Sequence, residues 1–431
     1  MKFTMLLSAP ALNLLATLGV AQQPHYKVID LGPTDNPFSM ASGLNNYGLI
    51  TGSETASDGT QHAVIWYGRF IGDISNPGLG GPNSSGGLVN EFGLVLGQAE
   101  TAAKDPNHEN FCGYGTDSQC MAFLWNYGVT IALATLGGTN STFGGINNKG
   151  EAVGIAETSR RDSECPTEMA LNGTGPQVLD FEAVIWGPGK NQIRQLSPLP
   201  GDTVGIAFAI NDMGQVVGIS GRCGNTLIPG FAAGPHAVLW ESDGSVHDLG
   251  SLGGTSNPKM LGVGNGAYAI NNRGEVVGVS ALPGSTTFHP FLWTKSNGIQ
   301  DLGVLTGDLV GAGVAINNRG EVVGASVSAP GPASGNLRAF LWRHGKMSDL
   351  NTLVQTNAPL YLLNAFGIND IGEIVGFGAT EAGDIHAYLA VPDLILDASE
   401  GLASSDQAVT TPKVLPEKAR KQLQGWFRPP K

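Results

Sequence analysis

The sequence predicts an all-β protein, a seven-bladed β-propeller of four-stranded blades with its ring closed by the N-terminal strand. Three observations predict it. A hairpin motif of the form I-N-N-x-G-x-V-V-G recurs seven times. Two further strand-like elements follow it in a set order. The last of these is missing after the seventh hairpin and stands instead at the N-terminus.

The hairpins are LNNYGLITG (44–52), VNEFGLVLG (89–97), INNKGEAVG (146–154), INDMGQVVG (210–218), INNRGEVVG (270–278 and 316–324) and INDIGEIVG (368–376). In each, a strand ends in the apolar residue before Asn, and a second strand begins after Gly. Asn at the first turn position hydrogen-bonds its own backbone, and Gly accepts the positive-φ position. The first asparagines (Asn45, Asn90, Asn147, Asn211, Asn271, Asn317, Asn369) therefore read as turn residues.

The second element is HAVIW (62–66), MAFLW (121–125), EAVIW (182–186), HAVLW (236–240), HPFLW (289–293), RAFLW (338–342) and HAYLA (386–390), a third strand bounded by Gly-containing turns. The third element, clearest as VHDLGSLGG (246–254) and IQDLGVLTG (299–307), is the fourth strand. Its displaced copy is YKVIDLG (26–32). A linear solenoid would leave incomplete, capped units at both ends. A ring completes its last blade with the N-terminal strand, and four-strand units of this length are propeller blades.

This pattern resembles the HAF-repeat family, exported bacterial proteins of largely undefined activity. The His-Ala-Phe triplet stands here in variants such as His62-Ala63-Val64 and His386-Ala387-Tyr388, and the resemblance covers roughly residues 26 to 392. It implies a propeller-like fold outside the cytoplasm and brings no catalytic residues.

Residues 1–21 read as a signal peptide: Lys2, an apolar run from Met5 to Leu18, then Gly19-Val20-Ala21 as a cleavage site. The propeller is assigned to 22–396 and a polar to basic, flexible tail to 397–431. In that tail six Lys or Arg from Thr410 onward face Glu417 alone, and solvation is the expected state. The expected location is secreted and extracellular, with the periplasm as the other exported compartment. No later stretch is apolar for long enough to span a bilayer.

The chain is 41% hydrophobic, enough for a core, so it is not disordered, and its 63 Gly do not fall at every third position, so it is not collagen-like. A formal charge of −13 argues against nucleic acid, which needs a basic surface. Cys112, Cys120, Cys165 and Cys223 all fall in the long second-to-third loops of blades 2, 3 and 4 (98–120, 155–181, 219–235). Cys112 and Cys120 share one loop, and Cys165 and Cys223 occupy neighbouring blades, so the expected bridges are Cys112–Cys120 and Cys165–Cys223. In the chain-entropy picture they contribute about 2.6 and about 4 kcal/mol.

The tryptophans that close six third strands read as packing between blades. His62, His236, His289 and His386 read as structural, because Met121, Glu182 and Arg338 replace them elsewhere. Asp105, Glu109, Asp117, Asp162, Glu164 and Glu168 read as solvated loop charge, with no calcium-loop spacing among them. Neither a catalytic motif nor a cofactor or metal signature is present.

The function expected is a monomeric binding or interaction scaffold. Its partner is an extracellular polymer or a protein, met through the loop face of blades 2 to 4. The alternatives are a propeller hydrolase or lyase acting on extracellular polymer, and a purely structural surface protein. The enzyme alternative needs polar groups converging near the axis, whereas the inner strands (AYAIN, GVAIN, AFAIN) are small and apolar.

Overall fold

The computed structural model describes residues 25–32, 38–68, 70–75, 78–165, 176–189, 192–226, 233–257, 263–328, 336–393 and 415–419. The expected signal peptide (1–21), Glu168 and most of the tail lie outside them. Seven antiparallel four-stranded sheets form the propeller, as the sequence predicts. From inner to outer strand, blade 2 runs Gly80–Val89, Val95–Lys104, Ser118–Asn126 and Val129–Ala132. Blade 3 runs Gly137–Ile146, Ala152–Arg161, Leu179–Trp186 and Ile193–Gln195.

Blade 7 combines Tyr361–Ile368, Ile374–Ala379 and Ile385–Pro392 with the N-terminal strand Tyr26–Asp30. Tyr26 pairs with Pro392 and Asp30 with Tyr388, which closes the ring with a strand from the opposite end of the chain. His386 Nδ1 lies 3.0 Å from Asp30 and fastens the same seam.

That pair is one copy of a repeated latch. His62 meets Asp73 at 2.8 Å, His236 meets Asp248 at 2.9 Å and His289 meets Asp301 at 3.0 Å, each joining third strand to fourth. In blade 6 Arg338 takes the same place beside Asp349 at 3.0 Å. Any side chain able to donate to the aspartate serves there, which explains why histidine alternates with arginine. The tryptophans do pack between blades. The indole N–H of Trp66, Trp186 and Trp240 donates to the carbonyls of Leu31, Ala134 and Ser197, each just past the outer strand of the preceding blade.

The hairpin asparagines do more than turn the chain. Asn45 Oδ1 accepts from the N–H groups of Tyr47 and Leu49, and Gly48 follows at φ +79°. Its Nδ2 reaches across to the carbonyl of Asn90 at 3.0 Å, and Asn90 passes the same bond to Asn147. The series continues through Asn211, Asn271, Asn317 and Asn369, and Asn369 returns it to the carbonyl of Asn45 at 3.2 Å. All seven side chains are buried. Seven blades are thus joined at the axis by a cyclic chain of hydrogen bonds that has no free end.

The tail is not wholly solvated. Leu415 and Ala419 are buried in the apolar cluster of blades 5 to 7, and Lys418 Nζ lies 2.7 Å from Asp384.

Replacing Asn317 by Ala removes its bonds to the Asn369 carbonyl and Glu321 carboxylate and those it accepts from Arg319 and Glu321. Leaving these buried groups unpaired is expected to cost about 1–3 kcal/mol. A denaturant titration reads this as a lower midpoint with an unchanged slope.

Candidate functional site

Antiparallel strands send the first-to-second and third-to-fourth turns to one face and the second-to-third loops to the other. The turn face carries the axial mouth. Immediately after each ring asparagine comes a second polar residue: Asn46, Glu91, Asn148, Asp212, Asn272, Asn318 or Asp370. The backbone N–H of each donates to the side chain of the next, from Asn46 to Glu91 through Asp370 to Asn46, making a second closed ring. Side-chain amides reinforce it: Asn148 and Asn272 Nδ2 both reach Asp212 Oδ2, at 3.0 and 2.8 Å.

These residues line a cavity of about 220 Å³ on the axis. Its three carboxylates are not equivalent. Burial raises the Glu91 carboxyl, with Asp370 and Asp212 adding to it against hydrogen bonds from Asn46. Burial also pushes Asp212 upward, but hydrogen bonds from Asn148 and Asn272 and the charge of Lys149 outweigh it and hold Asp212 below its usual value. Polar convergence at the axis therefore exists. It comes from the turns and not from the inner strands, which are small and apolar. The signal was present in all seven hairpins as an unbroken run of Asn, Asp or Glu at the second turn position.

Around this mouth the turns of blades 1 and 2 carry exposed aromatic side chains. Tyr47 and Phe92 occupy the third position of their hairpins, and Tyr67, Phe70 and Tyr127 belong to the third-to-fourth turns. Phe92 is 71% exposed and Tyr127 83%. An added Cβ on Gly93 would lie 3.7 Å from the Tyr127 hydroxyl, so the two turns of blade 2 adjoin. Among the described residues, most large apolar side chains left in solvent are on this face, and none comes from the expanded loops of blades 2 to 4.

Those expanded loops are built differently. Strand pairing extends into them, to Lys104 opposite Ser118 and Arg161 opposite Leu179, so the true loops are shorter than the sequence suggests. Both expected disulfides are present, Cys112–Cys120 and Cys165–Cys223, with Cα separations of 5.3 and 4.7 Å. All four cysteines share one apolar cluster with Phe111, Phe181 and Ile206, which welds blades 2, 3 and 4 into one platform. Asp162 lies beside the second bridge, but disulfide sulfurs offer a metal no thiolate.

Contrary to the sequence expectation, the acidic loop residues are not all solvated. Asp117 and Glu164 are exposed, yet Asp105 and Glu109 are buried, because the blade 2 loop folds against blade 3. Glu157 joins them from the second strand of blade 3. Its carboxyl is raised by burial first and by Glu109 second. On the third strand, Asp180 pairs with Arg160, while Glu182 stands 3.9 Å from the same guanidinium. Burial, then the neighbouring Asp180, pushes Glu182 up to about 8 against the pull of Arg160.

What the fold and these surfaces define is a seven-bladed propeller with a polar axial mouth on one face and a disulfide-stapled platform on the other. No helix among the described residues is long and apolar enough to cross a membrane. No family model matches the chain, and no curated protein does. Among solved structures it is similar to a gluconolactonase from Xanthomonas campestris, at 10% identity and TM-score 0.34, over 70% of this chain and 90% of that one. It is also similar to the Aleuria aurantia lectin, at 9% identity and TM-score 0.34, over 85% and 93%. A third is the Trypanosoma rangeli sialidase, at 11% identity and TM-score 0.36, over 85% of this chain and 58% of that one. At such identities and scores these likenesses carry nothing about function.

The raised Glu182 carboxyl makes stability depend on pH. The folded state holds the proton more tightly than the unfolded chain, so its contribution is fully present below about pH 4.3. It is lost as pH rises to about 8. Melting curves of the wild type should therefore fall across that window, and Glu182→Gln should fall less steeply. Parallel curves would show that Glu182 does not titrate there.

Proposed function

We propose that this chain is an exported binding module of the HAF-repeat kind, which engages an extracellular polymer through the turn face of blades 1 and 2. The observation that carries this reading is the group of exposed aromatics, Tyr47, Tyr67, Phe70, Phe92 and Tyr127, beside a polar cavity on a rigid ring. A contiguous exposed apolar patch marks an interaction surface. Tyrosine suits such a surface because it presents a flat apolar body with a polar tip. Carboxylate and amide oxygens at the mouth add acceptors for hydroxyl or ammonium groups. The bridges, the signal-like N-terminus and the family resemblance support export, since disulfides persist in oxidising compartments.

Binding through the loop face of blades 2 to 4 is the second location, supported by the stapled platform. Cleavage of the bound polymer is a second activity, supported by the unequal Glu91 and Asp212 in one cavity, because carboxyl groups pushed apart suit acid and base roles.

Calorimetric titration with a panel of soluble oligosaccharides, neutral and amino-substituted, tests these together. Phe92→Ala with Tyr127→Ala is expected to weaken binding at least about tenfold, which is about 1.4 kcal/mol. The melting temperature should be unchanged. Ala102→Arg with Ser159→Arg, on exposed positions of the loop platform, should leave binding intact. The reverse pattern would move the site to the loop face, and binding untouched by either pair would refute both locations. No binding across the panel would refute the polymer and direct the search to a protein partner. Shortening of a bound oligosaccharide, abolished by Glu91→Gln, would establish the enzyme.

A further inference from the structure

We infer that the apolar loop face of blades 5 to 7 is a docking surface for a basic amphipathic segment, and that the chain's own C-terminal segment, seated at 415–419, occupies it in cis as a displaceable cap. It lies on the face opposite the turn face, so it stands whatever the propeller binds there.

The loop face is closed in two ways. On blades 2 to 4 the expanded loops fold inward, and the bridged cysteines hold them onto Phe111 and Phe181. Blades 5 and 7 have only short connections there, 282–287 and 380–384, which offer little but Leu282 and Pro283 to cover apolar strand ends. Ala281, Val327 and Ala379 end the second strands of blades 5 to 7, and Phe288, Leu337 and Ile385 lie at the start of the third. All six belong to one buried apolar cluster, and Leu415 and Ala419 complete it.

The segment is built for that seat. Pro416 suits the first turn of a helix, where its missing N–H costs nothing, and residues 417–419 are helical. Leu415 and Ala419, four residues apart, are buried, while Glu417 and Lys418 between them are exposed. One stripe is therefore apolar and the other charged. Contact is closest at Gly383, whose φ is +87°. A Cβ there would lie 2.6 Å from Lys418 Cβ and 3.1 Å from the Ala419 nitrogen. Lys418 Nζ then reaches Asp384 at 2.7 Å.

Charge favours this occupant over a neutral apolar segment. From Thr410 onward the chain has six Lys or Arg and one Glu, whereas the formal charge of the whole is −13, so the body beneath is more acidic still. Such a body attracts a basic end. Blade 7 is also the blade that the N-terminal strand completes, so both ends of the chain meet on it.

The contact is small enough to be given up. Among the described residues its buried side chains are Leu415 and Ala419, and the Lys418–Asp384 pair is open to solvent, where such pairs contribute little. Tethering supplies the rest. Covalent attachment sets the effective concentration of the segment at about the millimolar range, which holds in cis a contact that is weak in trans. A partner that presents a basic helix with apolar residues four apart gains this surface only by displacing the segment. The C-terminus thus controls access to the loop face of blades 5 to 7.

The experiment uses the full-length oxidised protein and a fluorescent synthetic peptide spanning 412–424, followed by anisotropy. Leu415→Asp with Ala419→Asp is expected to undock the segment and leave near-ultraviolet circular dichroism unchanged. The peptide should bind this variant at least about tenfold more tightly than the wild type, whose seat is taken. Adding Asp384→Lys should weaken that binding about tenfold, and a peptide carrying the same two aspartates should not bind. Equal binding to wild type and variant, or none to the variant, would overturn the cap. If the double variant does not fold, a protease site placed between Ala403 and Ser404 of the wild-type chain decides. After folding and cleavage the C-terminal fragment is expected to leave the propeller on gel filtration, and the peptide to bind in its place. A fragment that stays bound, or a vacated propeller that takes no peptide, refutes the inference.

Discussion

A propeller has to hold its blades at the axis, where inner strands converge and little side-chain volume is available. Here the constraint is met by one asparagine per blade, whose amide nitrogen donates to the next blade's carbonyl until Asn369 returns the bond to Asn45. Each bond is worth about 1 kcal/mol net, yet a ring leaves no terminal donor or acceptor unpaired. The same asparagine shapes its own turn through Oδ1, so one side chain sets local geometry and neighbour contact together. Rotation of any blade would break bonds on both sides of it.

Closure at the rim uses different chemistry. The N-terminal strand supplies the outer edge of blade 7, and the His386–Asp30 pair fastens it as His62–Asp73 fastens blade 1. Exposed pairs of this kind contribute little individually. Their role is register, because the aspartate of the outer strand meets a donor only when the strands pair correctly. The indoles of Trp66, Trp186 and Trp240 then tie the outer edges of blades 7, 2 and 3 to the next blade.

The two faces have diverged on this shared frame. On the turn face the first-to-second hairpins have the same length in every blade, and differences among them reside in single side chains: Tyr47 and Phe92 where blades 3, 5 and 6 carry Lys149, Arg273 and Arg319. On the loop face the differences are in length, and the longer loops of blades 2 to 4 turn inward onto a common core. A long loop suggested a binding surface, but among the described residues its large apolar side chains are consumed by its own packing.

Much of the fold was legible in the chain. A repeated hairpin gives each strand locally, the displaced YKVIDLG element requires a ring, and loop position pairs the cysteines, because all of these depend on order along the sequence. The turn role of the asparagines was equally local. Their second bonds were not, since the acceptor lies in the next blade, 45 to 64 residues further on for six of them and 324 residues back for Asn369. Glu157 looks like any strand residue until a loop from blade 2 folds over it, and Asp105 looks like loop charge until the same event buries it. Periodicity and turn chemistry reveal which residues are equivalent; only tertiary packing decides which of them meet, which lose their water, and which of two faces remains open.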